Sequence, residues 1–143
     1  MEEQNFKNHI RFYPPHHFVF YPVILLLTGF ALFHFIKEEK VEFLFIALIL
    51  LLMGWLSFML RQHYALNNQN RIIRLEMRLR YYQLKNEAFE PIEQQLSFSQ
   101  IAALRFASDA ELLKLTERAV EEKLSAKEIK QSIKDWVPDY MRV

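Results

Sequence analysis

The sequence predicts an all-α membrane protein: a transmembrane helical hairpin, its second span extended into the cytoplasm, followed by about three short helices. Three observations predict it. The runs Phe18–Ile36 and Phe43–Leu60 contain no Asp, Glu, Lys or Arg. Each approaches the roughly 20 apolar residues that cross about 30 Å of hydrocarbon as a helix. No proline or glycine occurs between Trp55 and Glu90, so the second helix has no built-in stop where the apolar run ends. Finally, three Ser-x-x-Glu/Gln sequences follow Pro91, each just before or within an apolar stretch.

Residues 1–17 form a cytoplasmic N-terminal segment. Pro14-Pro15 favours an extended run that turns the chain into the first span. His9, His16 and His17 lie here, but adjacent histidines without a cysteine or nearby carboxylate make a poor metal site. No metal or cofactor is expected.

Residues 18–60 form the hairpin, with spans 18–36 and 43–60. Backbone groups in lipid must satisfy one another, so both runs are expected to be helical. The first reads as a span rather than a signal peptide. A signal h-region is typically about 7–15 residues, and the exit Phe33-His34-Phe35-Ile36-Lys37 lacks a small-x-small cleavage pattern. A soluble core helix would show a polar face, and Leu48–Met53 shows none. Arg11, Lys7 and the arginines from Arg61 onward flank the hairpin, while Lys37 and Lys40 sit among glutamates in the turn. The positive-inside rule therefore places both termini in the cytoplasm and the turn outside. Tyr13, Phe18, Phe20, Tyr21 and Tyr64 suit the inner interface. Thr28, Gly29, Gly54 and Ser57 are candidates for the helix–helix contact. Thr28 and His34 are the candidate intramembrane polar residues. His34 is near enough to Lys37 to act as an interfacial anchor, and a proton relay would need partners the spans do not supply. Trp55 reads as a packing or partner-contact residue.

Residues 61–90 form a basic amphipathic cytosolic helix ending near Ala88. Glu76 is its only acid between Arg61 and Lys85. Ile72, Leu75, Leu79 and Tyr82 follow a three-four spacing, and Ile73, Met77, Tyr81 and Leu84 form a second row. Two apolar rows suggest contact on two sides, or later helices folding back. Three readings of Arg71, Arg74, Arg78 and Arg80 compete: anionic lipid headgroups, an acidic surface of the chain itself or of a partner, and nucleic acid. Nucleic acid is the weakest, because no base-reading or stacking element accompanies the charge.

Residues 91–143 form a small helical region, with capping boxes at Ser97–Gln100, Ser108–Glu111 and Ser125–Glu128 and helices over about 98–107, 109–124 and 126–136. Ile129, Ile133 and Trp136 would share one helical face. Trp136, Tyr140 and Arg142 are of the residue types that dominate binding interfaces, and with Asp139 they are the tail's candidate interaction residues. They either dock a partner or close the fold, with Arg142 or Arg105 paired to Asp139.

Three stretches carry a resemblance: Glu3–His9, Arg105–Leu112, and Glu128 through Trp136 to Val143. In these the chain resembles an uncharacterised, domain-of-unknown-function family of small two-span bacterial inner-membrane proteins of the Bacteroidota type. The resemblance implies the two-span topology and brings no activity or catalytic residues.

With no cysteine and no convergent acid–base group, no enzyme is expected. Asp109, Glu111 and Glu128 read as helix-start residues. The expected function is a non-enzymatic accessory or scaffolding subunit of a larger inner-membrane protein complex. The alternative is a self-associating homo-oligomer, a small pore or transporter.

Overall fold

The computed structural model describes residues 4–9 and 14–139, all helix, turn or loop apart from one isolated β-bridge. Its chain forms two compact units, one of residues 14–67 and one of residues 4–9 with 68–139. Tyr13, Tyr140, Arg142 and Arg11 lie outside the described residues.

The first unit is a helical hairpin. A π-helical turn, Pro15–Phe20, leads into α1, Tyr21–Glu38. Pro15 sits at the first helical positions with Pro14 in the right-handed region, so the prolines start the helix instead of extending the chain. Proline is pre-set for that place, because its missing N–H would have no intrahelical partner there. The π register fits Pro22, which has no N–H to return to the preceding turn. α1 closes on Glu39 in the left-handed region (φ 52°), whose N–H reaches the Phe35 carbonyl at 2.9 Å. Lys40 is extended, and α2 runs Val41–Met59.

Both helices are long and apolar enough to span a membrane, and only 11% and 6% of their most apolar windows are buried. A soluble core helix would be mostly covered, so these faces are compatible with membrane insertion. The contact between α1 and α2 uses Thr28, Ala31 and Ala47, all buried. Gly54 belongs to it, since a Cβ there would sit 3.6 Å from Ile24. Gly29 does not, since a Cβ there would meet nothing within 4 Å. Small residues let helices approach, but only those on the facing side take part, and the two alanines supply that surface.

The second unit begins on α3, Leu66–Lys85, which follows α2 through the π-helical turn Leu60–Ala65. Asn86, in the left-handed region (φ 56°), ends it a little before Ala88. Then come α4 (Glu90–Glu93), α5 (Phe98–Leu104), α6 (Asp109–Glu121) and α7 (Ala126–Ser132). Ile73, Met77 and Tyr81 on α3 join Phe89, Ile101, Leu104, Leu112 and Ile129 in one core, so the later helices do fold back onto the basic helix.

Ser97 and Ser125 each make a complete capping box, with the Gln100 and Glu128 side chains accepting from the cap N–H at 2.7 Å. Ser108 does not. Its side chain makes no cap hydrogen bond, and its N–H donates to the Asp135 carbonyl at 3.1 Å. With that donor taken, Glu111 turns outward and accepts from the backbone N–H groups of Lys134 and Asp135. Pairing also shortens the flanking helices. Ala107 and Trp136 form an antiparallel bridge, and Val137 N–H donates to the Phe106 carbonyl at 2.8 Å. The last helix therefore stops at Ser132, and Trp136 is not on its face. Pro138 reinforces this by disfavouring helical backbone at Val137.

Candidate functional site

On α3 the arginines divide by partner. Arg74 and Arg78 both donate to Glu93, the latter at 2.6 Å, and Arg78 also lies 3.4 Å from Glu90. The Glu93 side chain is 6% exposed, a buried carboxylate held by two cations. Burial pushes its pKa upward, but the hydrogen bonds from Arg78 and Arg74 outweigh this and hold it below the usual carboxylate range. Arg80 donates to Asp109 at 2.5 Å and to the carbonyls of Arg105 and Ala107 at 3.1 and 2.5 Å. One planar fork thus fixes the α5–α6 loop. Arg71 is exposed, with no ion-pair partner among the described residues, and Glu76 is the same.

The pairing on one face leaves the other face open. Ile73, Met77 and Tyr81 are at most 5% exposed, whereas Ile72, Leu75, Leu79 and Tyr82 are 53, 62, 59 and 55% exposed. At about 100° per residue the two rows point to opposite sides of α3. The sequence shows both rows, but only the fold tells which one the protein covers for itself.

A second cluster joins the chain's ends. The Gln4 side chain accepts from Asp139 N–H at 2.6 Å and donates to its carbonyl at 3.3 Å. Arg105 pairs with Asp139 at 2.8 Å, so the fold uses this aspartate internally. Trp136 stacks on Phe106 with ring centroids 4.6 Å apart, and His9 packs against both rings at 5.9 and 6.0 Å. The Arg105 guanidinium lies 4.7 Å and the Lys130 ammonium 5.8 Å from the Phe106 ring, and Lys130 lies 2.9 Å from His9 Nε2. The cluster holds cations over aromatic faces, an arrangement suited to packing and docking. Glu93 and the Phe106 platform had no separate signal in the sequence. An acid two residues after Pro91 could have been read as the counter-charge to the arginines.

In the hairpin, the Thr28 hydroxyl donates to the Ile24 carbonyl at 2.8 Å. His34 Nδ1 lies 2.6 Å from the Glu38 carboxylate, one turn on, with its ring among Phe30 and Phe43. Ser57 also bridges the two helices of the hairpin, lying 3.0 Å from His16 Nε2 in the π-helical turn that leads into α1. Trp55 is exposed.

Gln4–His9, Arg105–Ala107 and Lys130–Asp139 thus meet in one place, within the three stretches that carry the family resemblance. A model of one protein family matches residues 1–143. The chain belongs to the DUF6526 family, a family of unknown function. No curated protein and no solved structure matches it.

Proposed function

We propose that this DUF6526 protein is a non-enzymatic accessory or scaffolding subunit of a larger complex in a bacterial inner membrane. Its hairpin anchors it, with both termini cytoplasmic, and its helical module presents docking surfaces. The observation that carries the reading is the exposed row Ile72, Leu75, Leu79 and Tyr82 on a helix whose opposite face is already buried. An uncovered apolar stripe on a rigid, folded element marks a place where something else packs. The exposed Arg61, close after the second apolar run, suits anionic lipid headgroups. A pore or transporter is less well supported, because the Thr28 hydroxyl and His34 are engaged within the chain itself.

Purification of the tagged full chain in mild detergent, with mass spectrometry of what co-elutes, tests the reading. A companion protein at fixed stoichiometry is expected. Repeated recovery of the chain with no other protein overturns it.

A further inference from the structure

We propose that the exposed row of α3 is the seam of a parallel dimer, and that a second copy of this chain covers it. The inference rests on the scaffolding reading only in treating this face as a docking surface; it adds the occupant and the register.

The spacing 72, 75, 79, 82 places these residues at successive a and d positions of a heptad. In the first heptad, Ile72 at a and Leu75 at d is the combination that favours two parallel strands; the second heptad has Leu79 at a and Tyr82 at d. All four are more than half exposed, while the face turned away from them is filled by the protein's own core. That core also holds α3 in helical form. Association therefore need not supply the cost of forming the helix, which otherwise makes a seam of two heptads too short to stand alone.

Charge selects the occupant and the direction. With Ile72 at a, Arg71, Arg78 and Lys85 fall at g, and Glu76 and Gln83 fall at e. In a parallel pair, each g residue faces the e residue five positions later on the partner helix. Arg71 then meets Glu76 of the second copy, twice by symmetry, while Arg78 is already held by Glu93 and Glu90 of its own chain. Arg71 and Glu76 are both exposed, and neither has an ion-pair partner among the described residues. Antiparallel pairing would bring g against g, and so cation against cation. A helix lying on an anionic membrane would carry bases along both edges of its apolar stripe. Here one edge carries Arg71, Arg78 and Lys85, and the other carries Glu76 and Gln83. This asymmetry is self-complementary and fits a second copy better than a lipid surface.

The chain has no cysteine, so introduced thiols report without background. The test uses the full-length protein in its native membranes and in mild detergent. Under mild oxidation, Leu75→Cys and Leu79→Cys are expected to give a disulfide-linked dimer as the main species, while Glu117→Cys, exposed on α6, stays monomeric. Arg71→Glu and Glu76→Arg, each setting like charges face to face, are expected to lower the dimer fraction severalfold. The double swap Arg71→Glu/Glu76→Arg is expected to restore it. Circular dichroism verifies that each variant keeps its helix content.

Four results overturn the proposal. In one, Leu75→Cys crosslinks no better than Glu117→Cys. In another, the double swap is as impaired as the single changes. In a third, Leu75→Cys crosslinks to a different protein; the self-dimer then fails while the scaffolding reading stands. In the last, a solvatochromic label at Leu75→Cys shifts on phosphatidylglycerol vesicles while the chain stays monomeric, which makes lipid the occupant. Conversely, a self-dimer that never co-purifies with another protein keeps this proposal and removes the accessory-subunit reading.

Discussion

Glu93 shows how one buried charge can turn a basic helix into part of a core. Its carboxylate is 6% exposed between Arg74 and Arg78, so removing the charge leaves two guanidinium groups short of an acceptor. Glu93→Gln is expected to cost about 1.5–3 kcal/mol, the usual value of hydrogen bonds to charged groups. Thermal unfolding in mild detergent measures it. The same residue sets a pH dependence. Glu93 titrates below its ordinary range in the folded chain, as does Glu128, whose carboxylate accepts from Ser125. Stability from a depressed carboxylate is fully present above its unfolded pKa of about 4.3 and is lost as pH falls through the folded value. The unfolding midpoint is therefore expected to hold near neutrality and to drop below about pH 4–5. In Glu93→Gln that acid-induced drop should be smaller.

Lys123 shows the consequence of a chain with two glycines, both inside the apolar runs. It occupies the left-handed position after α6 (φ 51°). Leu124 N–H returns to Ala119 and Lys123 N–H to Val120, the Schellman pattern. A side chain is strained there, and glycine is not. Lys123→Gly is expected to raise stability by about 0.5–1 kcal/mol, read from the same melts.

At the scale of elements, the three serine-led sequences look alike but end differently. Ser97 and Ser125 cap their helices, so Ser97→Ala and Ser125→Ala should each lose about 1 kcal/mol. The Ser108 hydroxyl is buried and without a hydrogen-bond partner among the described residues. Ser108→Ala should therefore be close to neutral or slightly stabilising, because it removes a desolvated group that is not repaid. Equal losses at all three serines would contradict the observed geometry. The contrast also explains why the sequence misplaces the helix ends at 107 and 136. Capping chemistry is local and readable, whereas the bridge of Ala107 with Trp136 joins segments far apart in the chain.

For the whole molecule, two apolar helices with almost bare faces are compatible with membrane insertion. The full chain is expected to stay with membranes after carbonate extraction, and a reporter fused after Val143 should be cytoplasmic. Recovery in the aqueous fraction, or a periplasmic reporter, would contradict the proposed topology. Residues 4–9 belong to the unit of α3–α7, where Gln4 and His9 pack against Asp139, Phe106 and Trp136. Gln4→Ala should loosen that corner by about 1 kcal/mol, seen as faster hydrogen exchange at Asp139.

Much of this was legible in the residues. The apolar runs, the continuation of helix past Leu60, the two rows on α3 and the caps at Ser97 and Ser125 all follow from short-range rules of length, spacing and side-chain reach. These rules act within a turn or two, so a linear string contains them. Only tertiary structure decided which row of α3 is buried, which acid answers Arg74 and Arg78, why Gly29 is idle while Ala31 and Ala47 pack, and why Trp136 leaves the helix to stack on Phe106. Each of these is a competition between partners distant along the chain. It is settled by which groups the fold brings within a few ångströms, and no local pattern encodes that.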